Sequence, residues 1–371
     1  MAIDFEAEGL LKGTRGKARE ARRDLLARLA GGGVSVEELR EAVDEDRLGL
    51  LATERLLEGD GPRYTAREVA DKTGVEVEFL IRQRQALGLP EPDPDAAEFT
   101  DADLDAAQRI TEFREVGLPD EGLLEVARVM GMAMAQVAGA TRTLTGETLM
   151  EPGLTELEIS SRFEEATRRL VPMMGPLMDY AYRLHQREQL RQTVLGREAL
   201  SSGRPARTEI TVCFADLVEF TKLGERLPME ELGALTGRLG ELAREVASPP
   251  VQLVKLIGDA AMLVSTENDP LLDGALALVE AAEREEAEGF PLLRVGVARG
   301  EALPRGGDWY GHPVNVASRI TDVARPSSVL CTSEVREASG DGYSWSNAGR
   351  KGLKGVSGRV ELARVRRRGD D

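Results

Sequence analysis

The chain has 371 residues, of which 42% are hydrophobic and 30% are charged, and its formal net charge is −17. This length suits two or three domains, and the composition is that of a soluble globular protein. The acidic excess argues against a general nucleic-acid binder, because neutralising phosphates requires a surplus of Lys and Arg. The N-terminus lacks a basic region followed by an apolar core, so we expect no signal peptide and a cytoplasmic location. The two cysteines, Cys213 and Cys331, lie in apolar runs and are predicted to be buried and unpaired.

Residues 1–200 are predicted to form an all-helical domain. In residues 1–58 apolar residues recur at helical spacing, and Ser35 followed by Glu38 predicts a capped helix start. A basic cluster near the start is interpreted as a solvated helix face, with docking on an acidic partner as the alternative. The cluster consists of Arg15, Lys17, Arg19, Arg22 and Arg23.

Residues 64–90 resemble a MerR-like helix-turn-helix. Thr65 caps the first predicted helix, Gly74 forms the turn, and residues 80–87 form the second helix. This second helix carries Arg82 and Arg84, as a helix that reads DNA would, but its surroundings are acidic. We therefore expect a structural role for the motif, and a DNA-binding regulator is the alternative.

Residues 100–116 and 121–138 are the next predicted helices. The most apolar stretch, residues 123–140, carries Glu125 and Arg128, which favours a core helix over a membrane span. Several methionines are predicted to fill the space between helices, and a deformable apolar pocket for a lipid-like effector is the second interpretation. They are Met130, Met132, Met134, Met150, Met173, Met174 and Met178.

The last helical stretch, residues 154–200, is predicted to break around Pro172 and Pro176, because proline cannot donate the helical hydrogen bond. Its final part, residues 177–200, reads as a charged amphipathic linker helix. We place the domain boundary at residues 201–205, SSGRP, since Gly and Pro end helices and the composition becomes β-rich directly afterwards.

Residues 206–366 alternate between strand and helix patterns. The order strand, helix, hairpin, helix, strand is that of a ferredoxin-like βαββαβ unit, so the predicted fold class is α+β. The predicted elements are a strand at 209–215, a helix at 229–247, a hairpin at 251–265, a helix at 269–288, a strand at 292–298, an irregular arm at 299–312, a helix at 314–324, a strand at 328–333 and a short β-rich tail.

Two aspartates follow apolar strands in this second half. The run TEITVCFADLVEFT, residues 208–221, loses its apolar alternation at Asp216, and in VQLVKLIGDAAMLVS two strands flank a Gly-Asp turn that contains Asp259. Two carboxylates on neighbouring strand ends predict a hard-cation site. Mg²⁺ typically takes one or two protein carboxylates and leaves its other positions to water and phosphate oxygens.

Five motifs in this half resemble, in order, those of the class III nucleotidyl cyclases: FADLVEFT, VKLIGD, RVGVARGEA, GDWYGHPVNVASRI and LKGVSGRVELARV. The resemblance covers roughly residues 209–365. The helical first half is similar to the regulatory region of the pH-sensing bacterial adenylate cyclases. The resemblance implies conversion of ATP into 3′,5′-cyclic AMP and pyrophosphate by a homodimer. Two Mg²⁺ or Mn²⁺ ions are expected at each of two sites shared between protomers.

The resemblance also implies a role for particular positions. The metal aspartates come from one protomer, and the base-reading and transition-state residues come from the other. The implied assignments are Asp216, Asp259 and the Leu217 backbone for metal binding, Lys255 and Asp308 for adenine, Asn315 and Arg319 for the transition state, and Lys354 and Phe220 for further substrate contacts.

The chemistry of these side chains suits the implied roles. Asn315 and Arg319 are four residues apart in a predicted helix and therefore share one face. Lys255 can donate to an adenine ring nitrogen while Asp308 accepts from the exocyclic amine, a pattern that favours ATP over GTP.

Three positions leave alternatives open. Glu219 stands where the family usually has Gly, so its carboxylate could repel the triphosphate or could point to solvent. The first case favours a catalytically weak nucleotide-binding sensor as the alternative function. His312 lies in the catalytic arm and either lines a pocket or contacts substrate. His185, in the linker helix, is either a regulatory proton sensor or a surface histidine.

Overall fold

The computed structural model describes residues 3–59, 61–195, 208–286 and 289–369. It divides into a helical unit, Met1–Glu188, and a sheet unit, Gln189–Asp371. The predicted boundary at residues 201–205 lies outside the described residues. The helices of the first part are α1 (Gly16–Gly31), α2 (Val36–Asp44), α3 (Leu51–Glu58), α4 (Ala66–Thr73), α5 (Val77–Ala86), α6 (Asp101–Glu115), α7 (Asp120–Leu149) and α8 (Glu156–Leu195).

The predicted helix starts of this unit are confirmed by their caps. The Ser35 hydroxyl accepts from the Glu38 N–H at 3.2 Å. Thr65 and Glu68 form a reciprocal capping box at the start of α4, and Gly74 ends that helix with a left-handed φ of 75°. The second helix of the helix-turn-helix begins at Val77, slightly earlier than predicted.

Most of the basic cluster pairs with acids of the same unit. Arg22 donates to Glu156 at 2.7 Å, and Lys17 lies 3.7 Å from Glu158.

In the helix-turn-helix, Arg82 pairs with Glu121 at 2.5 Å, and the Arg84 guanidinium lies over the Phe99 ring. Both arginines of the second helix thus interact with side chains of the same unit, which fits a structural role for the motif.

Helix α7 is longer and more exposed than predicted. It continues to Leu149, and its buried residues are confined to Leu124, Ala127 and Gly131. The prediction of a core helix therefore holds only for its first half. By length and composition alone this helix could cross a membrane, and only 17% of its most apolar window is buried. The prediction that the methionines pack between helices is wrong for five of them, whose side chains are exposed. They are Met130, Met132, Met134, Met150 and Met173.

Helix α8 does not break at its prolines. It continues through Pro172 and Pro176 to Leu195, so the predicted break is wrong. A proline leaves the carbonyl four residues earlier without its helical partner. Here those carbonyls belong to Arg168 and Pro172, which are exposed, so water can take the place of the missing donor.

The sheet unit confirms the predicted βαββαβ order. Its first part comprises β1 (Thr208–Leu217), α9 (Phe220–Leu223), α10 (Met229–Val246), β2 (Gln252–Ile257), β3 (Ala260–Ser265), α11 (Asn268–Glu285) and β4 (Leu293–Arg305). The remainder comprises β5 (Asp308–Gly311), α12 (His312–Val323), β6 (Ser328–Thr332), α13 (Ser333–Glu337), β7 (Tyr343–Gly352) and β8 (Arg359–Arg367).

The strands form one sheet in the order β2-β3-β1-β4-β6-β8-β7, with β5 paired to β4. Alternate residues of the central strand β1 face opposite layers. Cys213 and Ala215 pack under α10 and α11, whereas Val212 and Phe214 pack under α12. Both cysteines are buried and free, as predicted.

The arm predicted to be irregular at residues 299–312 is a β-hairpin, so that prediction is wrong. Strand β4 continues to Arg305, and β5 pairs with it in antiparallel register from Asp308 to Gly311. Gly306 and Gly307 both have positive φ, 59° and 75°, which a two-residue hairpin turn of this twist requires. The Gly-Gly pair was the sequence signal for this turn.

Candidate active site

Asp216 and Asp259 lie at neighbouring strand ends. The β1·β3 pairing ends at Asp216, which lies opposite Ala260, and the Leu217 N–H donates to the Asp259 carbonyl at 3.1 Å. Gly258, with φ of 60°, forms the tight turn that presents Asp259. Burial raises the pKa of Asp216, and the nearby Asp259 charge raises it further.

Arg294 is a residue of this site that the sequence reasoning did not single out. It lies directly opposite Asp216 in the antiparallel β1·β4 pair. Its Nε donates to Asp216 Oδ2 at 2.7 Å, and its Nη2 contacts the same oxygen. The guanidinium lowers the pKa of Asp216, but burial outweighs it. Arg294 is the first residue of RVGVARGEA, but only the β1·β4 register, which the sequence pattern does not give, places it opposite Asp216.

The donor set at this end of the sheet fits Mg²⁺ or Mn²⁺. Two carboxylates converge here, and the residues that the structure describes contain no group of three or more His, Cys, Asp and Glu side chains able to hold a metal. A two-carboxylate set suits a hard cation that takes its other ligands from water and phosphate. It does not suit a closed structural zinc site, which needs four protein ligands.

Lys255 and Asp308 are brought together within one chain. The Lys255 Nζ contacts Asp308 Oδ2, and both side chains are partly exposed. The other oxygen of Asp308 accepts from the Trp309 N–H at 2.8 Å, which fixes the carboxylate. The β4–β5 hairpin carries Asp308 to Lys255. The pair thus offers one donor and one acceptor at adjacent positions.

Asn315 and Arg319 lie on the exposed face of α12, as their spacing predicted. The opposite face is buried against the sheet through Pro313, Val316, Ala317, Ile320 and Thr321. Arg319 lies 3.4 Å from Asp322, and among the described residues neither side chain is hydrogen-bonded or ion-paired to Asp216 or Asp259. Both functional groups therefore remain available to a molecule or a chain outside this one.

Of the other sequence-predicted residues, Phe220, Lys354 and His312 form no hydrogen bond or ion pair with the aspartates within the described ranges. Phe220 is partly buried and packs against the core under α10 and α11, so its ring is a packing group. Lys354 is exposed between β7 and β8. His312 is the exposed first residue of α12, and His185 is exposed on α8.

Comparison with known proteins identifies the family. Residues 3–190 match the adenylate cyclase regulatory domain, and residues 204–364 match the adenylate and guanylate cyclase catalytic domain. The chain is 42% identical to the pH-sensitive adenylate cyclase MT1302 of Mycobacterium tuberculosis, over 99% of this chain and 93% of that protein. This chain belongs to the adenylate cyclase family.

A second relative agrees with that membership. An adenylate cyclase of Streptomyces griseus is 32% identical over 76% of this cyclase and 69% of its own length. The crystal structure of the adenylyl cyclase CyaB from P. aeruginosa aligns with a TM-score of 0.40 at 21% identity, over 45% of this chain and 97% of that one.

The Glu219 side chain faces solvent. Glu219 has a left-handed φ of 59°, which is unusual for a residue with a side chain. Its carboxylate pairs with Lys222 and is 62% exposed. Lys222 also lowers the pKa of Glu219. Of the two alternatives for this position, the structure shows the solvent-facing one.

Proposed function

We propose that this cyclase converts ATP into 3′,5′-cyclic AMP and pyrophosphate. The ribose 3′-oxygen attacks the α-phosphorus, its proton is lost, and the bond from that phosphorus to the bridging oxygen of pyrophosphate breaks. The observation that carries the proposal is the convergence of Asp216 and Asp259 at adjacent strand ends, with Arg294 beside them.

Asp216, Asp259 and the Leu217 backbone would hold two divalent cations, Mg²⁺ or Mn²⁺. Such cations stabilise charge on the entering and leaving oxygens of an in-line displacement. Arg294 neutralises Asp216 in the chain without substrate. With a cation held by Asp216, the guanidinium of Arg294 would be free to bind phosphate oxygens, for which its planar fork is well suited.

Lys255 and Asp308 would select the base. Each satisfies the other in the free chain, so neither charge is left unpaired before substrate enters. Adenine can insert between them because it offers a ring nitrogen to the lysine and an amine to the aspartate. Guanine offers the opposite pattern at these edges, which leaves both groups mismatched.

The active form would be a homodimer with two shared sites. Asn315 and Arg319 occupy the exposed face of α12 rather than contacting the aspartates of their own chain. We propose that they, together with Lys354, act on ATP bound to the partner's aspartates. Residues 1–200 would form the regulatory domain and residues 206–366 the catalytic domain, in a cytoplasmic enzyme.

The helical domain would regulate turnover in response to pH. The support is the similarity to a relative named as pH-sensitive over nearly the whole chain. His185 is exposed in α8, the helix that precedes the catalytic domain in the chain, and histidine is the side chain whose charge most readily changes between about pH 5 and 8. A cleft of about 470 Å³ in this unit would suit a lipid-like effector, because its apolar wall includes Leu50, Met150 and Ile159 and its charged lining residues include Arg142.

The function is tested by measuring cyclic AMP and pyrophosphate formed from ATP with Mg²⁺ or Mn²⁺. We expect both products in equal amounts from the full chain, and loss of at least about a hundredfold in Asp216→Asn. Asp341→Asn, an exposed position in the same unit, serves as the control and should match wild type. ATP binding without product would instead favour a nucleotide-binding sensor.

The regulatory role is tested by the pH–activity profile between about pH 5.5 and 8, where histidine titrates. We expect the profile of His185→Ala to be flatter than that of wild type. Identical profiles would exclude His185 as the regulatory proton sensor. That result would not bear on the proposed conversion of ATP into cyclic AMP.

A further inference from the structure

A second cleft lies at the opposite end of the sheet from the two aspartates. Its volume is about 430 Å³, and Arg299, His312, Thr332, Arg350, Arg359 and Glu361 contribute to its wall. Arg299 is opposite Thr211 in the β1·β4 register, five residues before Asp216 along β1. At about 3.3 Å per residue, this places the cleft roughly 17 Å from the metal-binding carboxylates.

The cleft exists because β6 is shorter than its two neighbours. Strand β6 ends at Thr332, whereas β4 continues to Arg305 on one side and β8 extends back to Arg359 on the other. Pairing of β4 with β6 covers Arg294 to Val297, and pairing of β4 with β5 begins only at Ala302. The sheet therefore has a gap, bordered by β4, β8 and the first turn of α12.

Thr332 contributes a hydroxyl without a partner to this wall. The residue is 3% exposed, and its Oγ1 makes no hydrogen bond to any residue that the structure describes. A buried hydroxyl is normally satisfied, because leaving it unpaired costs the whole desolvation of the group. An orphaned hydroxyl beside a polar cleft points to a ligand that completes the hydrogen bond.

Three arginines and two glutamates line the same gap. The glutamates are Glu334 and Glu361. Arg350 pairs with Glu361 at 3.2 Å. Arg299 is held by the Thr211 hydroxyl at 2.9 Å and lies 3.4 Å from the mostly exposed Glu209. The Arg359 guanidinium forms no hydrogen bond or ion pair within the described ranges. Arg299 and Arg350 are each matched by a glutamate, so the Arg359 guanidinium is the cationic donor that remains available to an anion in the cleft.

We propose that this cleft binds a small phosphate-bearing anion, at a site separate from the ATP site. The guanidinium groups of Arg299 and Arg359 match the tetrahedral oxygens of a phosphate, and the Thr332 hydroxyl supplies a further donor. The N-terminus of α12 adds its partial positive charge at the same place. Because α12 also carries Asn315 and Arg319, the bound anion lies at the first turn of the helix that acts in catalysis.

The experiment titrates inorganic phosphate into the full chain by isothermal calorimetry at constant ionic strength. We expect saturable binding in wild type and affinity at least about tenfold weaker in Arg359→Gln, which loses the unpaired guanidinium. Thr332→Val removes the hydroxyl without changing the shape of the side chain and should weaken phosphate binding in the same direction. Arg336→Gln, an exposed arginine of the neighbouring α13, makes the same charge change outside the cleft and should bind as wild type.

Several results would overturn the proposal. They are the absence of saturable phosphate binding in wild type, unchanged affinity in both Arg359→Gln and Thr332→Val, and an equal response to acetate, which would show no preference for phosphate. Cyclic AMP formation without added phosphate is measured in parallel and should be unchanged in Arg359→Gln. That measurement separates a failure of this site from a failure of the proposed cyclase function.

Discussion

Glu219 combines an unfavourable backbone conformation with a surface-exposed charge. A residue with a Cβ pays roughly 1–2 kcal/mol for the left-handed conformation that Gly adopts freely. Its carboxylate is 62% exposed and paired with Lys222, and exposed pairs of this kind contribute little energy. The strain and the charge therefore make separable predictions.

We predict that Glu219→Gly stabilises the protein by up to about 1 kcal/mol, because it relieves the positive φ. Glu219→Gln keeps the strain and removes the charge, and should leave the KM for ATP within about twofold of wild type. Thermal unfolding and steady-state kinetics of the two variants provide the test. A large fall in KM for Glu219→Gln would mean that the carboxylate repels the triphosphate after all.

The proposed base selection rests on two side chains, Lys255 and Asp308, which contact each other in the free chain. We predict that Lys255→Glu combined with Asp308→Cys abolishes ATP use, since each polar group left unpaired once the bound base covers it costs roughly 1–3 kcal/mol. Cyclic AMP formed from ATP and cyclic GMP formed from GTP are measured side by side. Unaltered ATP turnover in the double variant would show that this pair does not read the base.

At the residue scale, the sequence predicted the groups that end strands and missed one that lies inside a strand pair. Asp216 and Asp259 interrupt apolar runs, so their positions at strand ends follow from alternation alone. Arg294 lies at the start of a strand among apolar residues and is revealed only by the β1·β4 register. Register depends on contacts between distant parts of the chain, which local pattern does not contain.

At the element scale, the helix that carries Asn315 and Arg319 is positioned by one glycine. Gly296 of β4 lies directly beneath α12, and a Cβ there would come 2.4 Å from the Ala317 carbonyl oxygen and 2.5 Å from the Thr321 nitrogen. Both are backbone atoms of the helix, so neither can rotate away. The close approach of α12 to the sheet therefore requires a residue without a side chain at this position.

We predict that Gly296→Ala destabilises the protein by about 1–3 kcal/mol, as overpacking generally does. It should also lower kcat at least about tenfold, because displacement of α12 misplaces both of its functional groups. Gly300→Ala is the matched control on the same strand. Its Cβ would meet Pro313 of α12 at an ordinary 3.7 Å, so its stability and kcat should stay close to wild type.

Helices α10 and α11 are joined by an ion pair that makes stability depend on pH. Arg238 donates to Glu285 through Nε at 3.0 Å and through Nη2 at 2.5 Å. This hydrogen bonding lowers the pKa of Glu285 below its usual 4.5. A carboxyl whose pKa is lowered by folding stabilises the folded state above its usual pKa. That stabilisation is lost as the pH falls through the lowered value.

We predict that Glu285→Gln lowers the free energy of unfolding by about 0.5–1 kcal/mol at pH 7, since the pair is partly exposed. The difference from wild type should shrink as the pH falls through the lowered pKa of the carboxyl, because protonation removes the ion pair. Urea unfolding at pH 7 and at a pH below that value measures both quantities. Glu283→Gln, an exposed residue of the same helix, is the control and should differ little from wild type at either pH.

The elements themselves were largely predictable, and the errors have physical causes. Caps at Thr65 and Gly74 fixed the bounds of α4, because local hydrogen bonding decides helix ends. The continuity of α8 through its two prolines and the exposed apolar face of α7 were not predictable. Both depend on what surrounds the helix, and local sequence does not specify those surroundings.

At the scale of the whole molecule, the proposed site would be divided between two chains. The aspartates end strands of the sheet, whereas Asn315 and Arg319 point outward from α12. If each site takes its aspartates from one protomer and its Arg319 from the other, two inactive variants with defects in different halves should complement each other. A site built within one chain allows no such rescue.

We therefore predict that Asp216→Asn and Arg319→Ala are each nearly inactive and that their mixture recovers activity. After exchange of subunits at equal amounts, half of the dimers contain both variants, and each of these carries one intact site and one doubly defective site. The expected activity is about a quarter of wild type per total protein, by the symmetry of a two-site dimer. Turnover of ATP before and after mixing measures this recovery. A mixture no more active than its components, in conditions where subunit exchange is demonstrated, would place the whole site within a single chain.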